Sequence, residues 1–164
     1  MTVPDPFEEL ARAQAPHLYR AAWLLCGHRA EAEDLVQETL AKVYVRMHRR
    51  LGPRLDNPAA YAQTVLTRTF ISGRRRRSST ETPYADLPGL ETESAPDHAD
   101  ATDLRLALTE ALAGLAPVDR AVVVLRHLEG LSVDEVGGLL GLTSGAVRNR
   151  SMRALARMRE EVAR

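Results

Sequence analysis

Hydrophobic positions recur with helical spacing along most of the chain. The clearest case lies between residues 30 and 49, where Val36, Leu40, Val43 and Met47 follow one another at intervals of four, three and four residues. This spacing places the four side chains on one face of an α-helix. No stretch shows the sustained alternation of hydrophobic and polar residues that is typical of a half-buried strand. The pattern therefore predicts an all-α fold.

The first half of the chain predicts two further helices. Residues 7–25 have helical periodicity, which Pro16 interrupts, so we expect a kink there or a second helix with Pro16 in its first turn. Asn57 followed by Pro58 is typical of an N-cap and a first helical residue. We expect the helix that starts there to run to about Arg75.

The second half predicts four short helices, the first from Asp103 and the second from Pro117. Ser132 and Glu135 have the spacing of a capping box, which predicts the start of a third helix that ends at Gly141. A last helix, capped by Thr143 or Ser144, follows after a short turn.

Charge is distributed unevenly, although the formal net charge is zero. Residues 81–103 carry 7 acidic and no basic side chains, whereas residues 1–80 carry 13 basic and 8 acidic ones. The segment between the two halves is also rich in proline, serine and threonine, which oppose regular structure. We therefore predict two small helical domains, residues 1–78 and residues 103–164. A flexible acidic linker, residues 79–102, joins them.

Several classes of protein are excluded by what the sequence lacks. Cys26 is the single cysteine, so no internal disulfide can form, and the five histidines lack metal-ligand spacing. No window approaches the roughly 18 apolar residues of a membrane span, and the N-terminus does not resemble a signal peptide. There is no glycine-rich phosphate loop, catalytic triad or paired-acid motif. We expect a cytoplasmic protein that has no cofactor or metal and is not an enzyme.

The last two predicted helices have the pattern of a helix-turn-helix. On the second of them Arg148, Asn149, Met152 and Arg153 project from one side, and the hydrophobic residues project from the other. Arginine can bond guanine and asparagine can bond adenine in the major groove. A basic helix that only aids solubility is the alternative.

Two further sets of side chains suggest contacts with partners. Arg74, Arg75, Arg76 and Arg77 end the helix that starts at Pro58, where they can neutralise phosphates. They can also merely complement the negative end of the helix dipole. An acidic face with Asp34, Gln37 and Glu38 lies opposite the hydrophobic stripe of its helix, and a solvated surface is the alternative for it.

Taken together, these motifs resemble bacterial RNA polymerase sigma factors of the extracytoplasmic-function type, group IV. The resemblance covers residues 7–77 and 103–161 in the order of the family. It is carried by the segments AEDLVQE (32–38), NPAAY (57–61), RRRR (74–77), LSVDEV (131–136), LTSGAVR (142–148) and RAL (153–155).

The resemblance implies a division of labour between the two domains, regions two and four of the family. Asp34, Gln37 and Glu38 would dock on the β′ clamp helices of core RNA polymerase, and region four would meet the β flap. The minus-ten DNA contacts would come from Tyr61, Arg68 and the run Arg74 to Arg77. For Tyr61, a core aromatic that packs against the Val36 stripe is the alternative. The minus-thirty-five contacts would come from Ser144, Arg148, Asn149, Met152 and Arg153. An anti-sigma factor is a further implied partner.

Some positions depart from the family. Arg68 stands where relatives often carry asparagine, Gly73 replaces a larger residue, and Ala146 replaces the usual threonine. Gly137 and Gly138 both replace helix formers, each at a cost of about 1 kcal/mol relative to alanine.

Two other functions remain open on the residues alone. One is a stand-alone helix-turn-helix regulator, and the other is a helical protein-interaction module that does not bind DNA.

Overall fold

The computed structural model describes residues 3–80 and 99–164, and within these ranges it contains helices and no strand. The all-α prediction is thus confirmed. The α-helices are α1 Pro6–Cys26, α2 Arg29–Met47, α3 Pro58–Thr80, α4 Ala99–Ala113, α5 Pro117–Val123, α6 Val133–Leu140 and α7 Ser144–Val162. A π-helical turn, Val124–Leu128, continues α5. The predicted linker falls mostly in residues 81–98, outside the described residues.

Two helices are longer than predicted at the ends that face the linker. Helix α3 continues past Arg75 to Thr80, and α4 begins at Ala99 rather than at Asp103. No proline or glycine interrupts residues 74–80, and the two alanines at the start of α4 have the highest helix propensity. The composition of the sequence did not mark the last residue of α3 or the first residue of α4.

Helix α1 is one continuous helix with Pro16 inside it, so of the two expectations, a kink or a second helix, the second helix is wrong. The Asp5 side chain accepts a hydrogen bond from the amide of Phe7 at 3.2 Å and caps the start. Gly27, in the left-handed conformation at φ +69°, ends it. Pro16 is exposed. On that side water can take the place of the helical hydrogen bond that proline cannot make, so the helix tolerates it.

Helices α1, α2 and α3 pack together as an N-terminal lobe. Of the predicted stripe on α2, Val36 and Val43 are buried, whereas Leu40 and Met47 are partly buried against the core. Thr39, also fully buried, satisfies its hydroxyl by donating to the Leu35 carbonyl at 2.7 Å. The periodicity therefore identified the correct face of α2, but the stripe left out three further buried residues, Ala32, Leu35 and the polar Thr39.

Helices α4 to α7 form a C-terminal lobe with the predicted caps. The Ser132 hydroxyl accepts from the amide of Glu135 at 3.1 Å, and the Glu135 carboxylate accepts from the amide of Ser132 at 2.7 Å. Thr143, and not Ser144, is the N-cap of α7, because its side chain accepts a hydrogen bond from the amide of Ala146 at 3.2 Å. These bonds fix both helices of the helix-turn-helix.

Gly137 allows the turn between α6 and α7 to approach α6 closely. A Cβ atom at Gly137 would lie 2.6 Å from the carbonyl oxygen of Leu142, whereas a Cβ at Gly138 would meet nothing within 4 Å. The Leu142 amide also donates to the Gly137 carbonyl at 2.9 Å. Close backbone packing thus accounts for the first glycine, and nothing in the structure explains the second.

The predicted helix that starts at Pro117 stays a regular α-helix only as far as Val123. It changes to π-helical hydrogen bonding, in which the Glu129 amide donates to the Val124 carbonyl at 3.0 Å. All residues from Arg120 to Leu125 are buried, on every side of the helix. The wider π turn rotates the residues that follow, and Glu129 then faces the N-terminal lobe.

The two lobes lie in contact. Helix α1 packs against α4 and α5, and α3 packs against α5 and α6. The buried hydrophobic residues of both lobes belong to one cluster. In this structure the two lobes share a core, and the predicted division into domains at residues 1–78 and 103–164 stays a prediction.

Candidate nucleic-acid interface

One face of α7 carries the side chains predicted to read DNA. Arg148, Asn149, Met152 and Arg153 are all exposed, and the Met152 side chain is 66% exposed. Val147, Ala154 and Met158 are buried on the opposite side against the rest of the lobe. An exposed face with two guanidinium groups, an amide and a thioether, held on a rigid helix, has the donors and the apolar contact that the major groove can accept.

Ser144, the first residue of α7, is already engaged within the helix-turn-helix. Its hydroxyl donates to Asp134 Oδ1 of α6 at 2.5 Å. This bond ties the start of the candidate recognition helix to the helix before it. The structure therefore places Ser144 beside the predicted face but gives its hydroxyl a partner within the protein.

A positively charged cleft borders the same face. A cavity of about 300 Å³ lies between the π-helical turn and α7, and arginine side chains from both elements line it. Its lining residues are Arg126, Val133, Arg148, Ser151, Met152, Leu155 and Arg159. None of them is acidic, so the cleft suits an anionic group such as a phosphate.

The remaining arginine on this stretch of α7 has a different role. Arg150 Nη1 lies 2.7 Å from Asp119 Oδ1 at the start of α5, so its charge is paired. Next to it, His127 Nε2 and Ser151 Oγ lie 3.0 Å apart, which links α7 to the π-helical turn. Arg150 and Ser151 therefore hold α7 in place while its neighbours face solvent.

Helix α3 brings together the residues predicted to contact the downstream element. Asn57 caps the helix, since its side chain accepts from the amide of Ala60 at 3.1 Å. Tyr61 is half-buried and packs against the core, whereas Arg68 is exposed. Seven residues separate the two, which is close to two helical turns, so both lie on the same side of α3.

In the arginine run at the end of α3, Arg74 contacts neighbouring side chains, whereas Arg76 is exposed. Arg74 Nη2 lies 3.3 Å from Glu31 Oε2, and the Arg74 guanidinium carbon lies 5.5 Å from the centroid of the Phe70 ring. Arg76 is exposed. The side chains of Arg75 and Arg77 lie outside the described residues. Arg74 thus contributes to packing between α2 and α3, whatever else it contacts.

The acidic face of α2 is exposed as predicted. Asp34, Gln37 and Glu38 all face solvent, and Glu38 Oε1 lies 3.0 Å from Lys42 Nζ one turn later. Asp34 and Glu38 also border a small cleft between α2 and α3. An exposed row of carboxylates and an amide on a rigid helix is suited to a basic protein surface.

Arg120 is a structurally important residue that the pattern of the sequence did not reveal. Arg120 is only 8% exposed. Its guanidinium nevertheless donates four hydrogen bonds, all to main-chain carbonyls. Three acceptors lie around the end of α4, namely Leu112 at 2.9 Å, Ala113 at 3.0 Å and Leu115 at 3.1 Å. The fourth, Leu25 at 2.6 Å, belongs to the end of α1.

Burial, with a smaller contribution from the positive charge of Arg74, lowers the pKa of the Arg120 guanidinium. An arginine nonetheless stays charged in proteins. The carbonyl groups at the ends of α1 and α4 stabilise that charge, since helix C-termini are negative. No local pattern marks this role, because one of the acceptors, Leu25, lies 95 positions away in the chain.

Glu129 is the second residue that sequence reasoning missed. Its carboxylate accepts from Gln63 Nε2 of α3 and lies 2.7 Å from His17 Nε2 of α1. The three residues come from distant parts of the chain, and no local pattern connects them.

Among the residues that the structure describes, no helix combines the length and apolar character needed to cross a bilayer. Within the same residues, no three histidine, cysteine or acidic side chains could together hold a metal ion.

Comparison with known proteins assigns both lobes to known domains. The family model for Sigma-70 region 2 matches residues 10–80, and that for Sigma-70, region 4, matches residues 105–158. The RNA polymerase sigma-E factor of Streptomyces antibioticus is 38% identical over 157 residues, which cover 95% of this chain and 84% of that protein.

Two other relatives extend the similarity. The ECF RNA polymerase sigma factor SigE of Mycolicibacterium smegmatis is 31% identical over 96% of this chain and 62% of that one. The sigma factor RpoE of Bartonella quintana, solved in complex with the anti-sigma factor NepR, has a TM-score of 0.66 at 27% identity, over 96% of both chains. The chain belongs to the sigma-70 family of RNA polymerase sigma factors and, within it, to the extracytoplasmic-function group.

Proposed function

We propose that the chain binds core RNA polymerase and directs it to promoters, where the N-terminal lobe reads the minus-ten element and the C-terminal lobe reads the minus-thirty-five element. The observation that carries this proposal is the exposed face of α7 on a capped helix-turn-helix in a sigma-factor chain. The polymerase supplies the chemistry of RNA synthesis, and the chain itself is not an enzyme.

For the upstream element, Arg148, Asn149, Met152 and Arg153 contact base edges in the major groove. Their exposure on one side of α7 supports this assignment, and the adjacent arginine-lined cleft supports phosphate contact beside it. Ser144 contributes at the start of the helix, where amide groups that point towards the DNA also favour a phosphate.

For the downstream element, Tyr61 and Arg68 on α3 contact the opened strand, and the run from Arg74 to Arg77 neutralises phosphates. Tyr61 offers an aromatic surface for an unstacked base, which is the usual contact of proteins with single strands. The exposure of Arg68 and Arg76 supports backbone contact. Because Arg74 already pairs with Glu31, a phosphate must compete with Glu31 for its guanidinium.

Asp34, Gln37 and Glu38 on α2 bind the β′ clamp helices of core polymerase, and the C-terminal lobe meets the β flap. The exposed acidic face supports the first contact. RpoE of Bartonella quintana was solved with an anti-sigma factor, and we propose that an anti-sigma protein holds this chain as well. The chain then acts in the cytoplasm, where the polymerase works.

Run-off transcription with core polymerase and a promoter library tests this function. We expect transcripts whose upstream sequences share two elements, and only when the chain is present. No promoter-dependent transcript would contradict the proposal. Binding without polymerase to two symmetric half-sites one helical turn apart would instead indicate a stand-alone regulator. The absence of any salt-dependent affinity for DNA would indicate a protein-interaction module.

A further inference from the structure

One side-chain hydrogen bond joins the first turns of α6 and α7. Ser144 is the first residue of α7, and its hydroxyl donates to Oδ1 of Asp134 in the first turn of α6. The two oxygens lie 2.5 Å apart, a short distance that is typical of a hydroxyl bonded to a carboxylate. The positive end of the α6 dipole also favours a carboxylate at this place. The bond therefore fixes where the hydroxyl hydrogen of Ser144 points.

The chemistry of the two groups decides the direction of this bond. An ionised carboxylate can only accept, so the hydrogen between the two oxygens belongs to Ser144. A serine hydroxyl has a single hydrogen, and once that hydrogen points to Asp134 the oxygen can only accept from any other group. Thr143, rather than Ser144, accepts from the amide of Ala146, so the helix cap does not use the Ser144 oxygen. Towards DNA, the side chains of Ser144 and Asp134 therefore present acceptors and no donor.

The pair of acceptors lies at the N-terminal end of the proposed reading face. Asp134 is exposed and Ser144 is half-buried, so both are open to solvent. Arg148 follows Ser144 by four residues, about one helical turn, and the two lie on the same side of α7. In a helix-turn-helix the N-terminal residues of the second helix contact base edges. The acceptor pair thus stands next to the donors of Arg148 at the end of α7 that meets the bases.

The major groove distinguishes an acceptor from a donor. Adenine and cytosine present an amino group there, in the place where guanine and thymine present a keto oxygen. An amino group can donate to the Ser144 oxygen, whereas a keto oxygen would face it with no hydrogen between them. Leaving such groups unpaired costs more free energy than a formed hydrogen bond contributes. A serine that could turn its own hydrogen towards the DNA would instead accept both classes of base.

We propose that Asp134 is a specificity-determining residue for the upstream element. It takes the hydroxyl hydrogen of Ser144, so that at one position the chain prefers adenine or cytosine and rejects guanine or thymine. Asp134 is thus a positioning residue, which acts through Ser144. The inference rests on the proposed function, because it describes how the C-terminal lobe reads its element.

Base preference is measured with the full chain, on DNA that carries each of the four base pairs at each position of the upstream element. One assay is run-off transcription with core polymerase, and the other is competition binding of the chain alone to duplexes. The variants are Asp134→Ala, Ser144→Ala and the conservative Ser144→Thr. Glu160→Ala is the matched control, because it removes an exposed carboxylate about 24 Å from Ser144 along α7. Circular dichroism confirms that each variant keeps its helices.

We expect one position at which the wild type prefers adenine or cytosine over guanine or thymine by about fivefold, as for a modest base contact. Asp134→Ala should reduce this ratio to below about twofold, because the released hydroxyl can also donate to a keto oxygen. Ser144→Ala should reduce it as well, because the contact is lost. Ser144→Thr keeps the hydroxyl and should keep the preference, and Glu160→Ala should leave it unchanged.

A structural role for Asp134 has a different signature, since it would change the affinity for all four base pairs by the same factor and would overturn the inference. Absence of sequence-dependent binding by the wild type in both assays would overturn it too. Promoter-dependent transcription with a base preference that Asp134→Ala leaves intact would support the proposed function and overturn the inference. A preference that Asp134→Ala relaxes, in a chain that directs no transcription, would support the inference and contradict the proposed role with polymerase.

Discussion

The guanidinium of Arg120 donates a hydrogen bond to the main-chain carbonyl of Leu25, with 2.6 Å between Nη1 and the oxygen. The two residues are 95 positions apart in the chain and belong to different lobes. The same guanidinium satisfies three carbonyls around the end of α4. One buried charge therefore organises the C-terminal lobe internally and joins it to the N-terminal lobe.

Replacing Arg120 should strongly destabilise the folded chain. Arg120→Met keeps the length of the side chain but leaves four carbonyls without their donor, so we expect a loss of about 3–5 kcal/mol in the free energy of unfolding. Arg126 donates to a single carbonyl, that of Leu131, and Arg126→Met should cost only about 1 kcal/mol. Urea denaturation followed by circular dichroism measures both. Equal losses would contradict the central position of Arg120.

Gly137 and Gly138 provide a matched pair on α6. Gly137→Ala should lower the free energy of unfolding by about 1–3 kcal/mol, because the new Cβ would lie 2.6 Å from the Leu142 carbonyl oxygen and the turn must shift. Gly138→Ala meets nothing within 4 Å and should raise it by up to about 1 kcal/mol, through higher helix propensity. Thermal unfolding of the two variants checks the signs. A stabilised Gly137→Ala variant would refute the close approach.

Arg148 and Arg150 lie two positions apart on α7, and we expect their substitution to have different effects, one on sequence preference and the other on stability. Arg148→Ala should change the sequence preference at the upstream element, since a good bidentate base contact contributes roughly 1–3 kcal/mol of discrimination. Arg150→Ala should cost stability and leave the preference intact, because Arg150 pairs with Asp119. Competition binding with duplexes that carry single base changes measures the preference. If Arg148→Ala weakens binding to every sequence equally, Arg148 contacts phosphate instead.

The acidic face of α2 is tested by charge reversal. Asp34→Arg should weaken binding to core polymerase by at least about tenfold, equivalent to 1.4 kcal/mol, while the helical content stays the same. Glu9→Arg makes the same change of charge at an exposed position of α1 and should leave binding intact. Fluorescence anisotropy of labelled chain titrated with core polymerase measures the affinity. Equal affinity of the Asp34→Arg variant and the wild type would indicate that this face is only a solvated surface.

Local features of the sequence predicted the helices and most of the reading face. The capping box of Ser132 and Glu135, the Asn57 cap and the spacing of the hydrophobic residues act over a few residues, so the sequence alone reveals them. The same reasoning placed Arg148, Asn149, Met152 and Arg153 on one exposed side of α7, where the structure has them.

Long-range features could not be predicted in this way. The contact of Glu129 with His17 joins residues 112 positions apart, and it depends on a π-helical turn that no propensity indicates. The continuous helix through Pro16 depends on which side of α1 faces water, and that follows from the tertiary structure. Arginines that pair inside the protein, such as Arg74 and Arg150, have the same sequence signature as arginines that face solvent, such as Arg148.

The proposed function requires the chain to direct core polymerase to a promoter, whose minus-ten element then opens. Permanganate modification of unpaired thymines measures opening directly, on a promoter selected by run-off transcription, with core polymerase alone, the chain alone and both together. We expect reactive thymines at the minus-ten element only when both are present. Absence of reactivity with both, or the same reactivity with core polymerase alone, would contradict it.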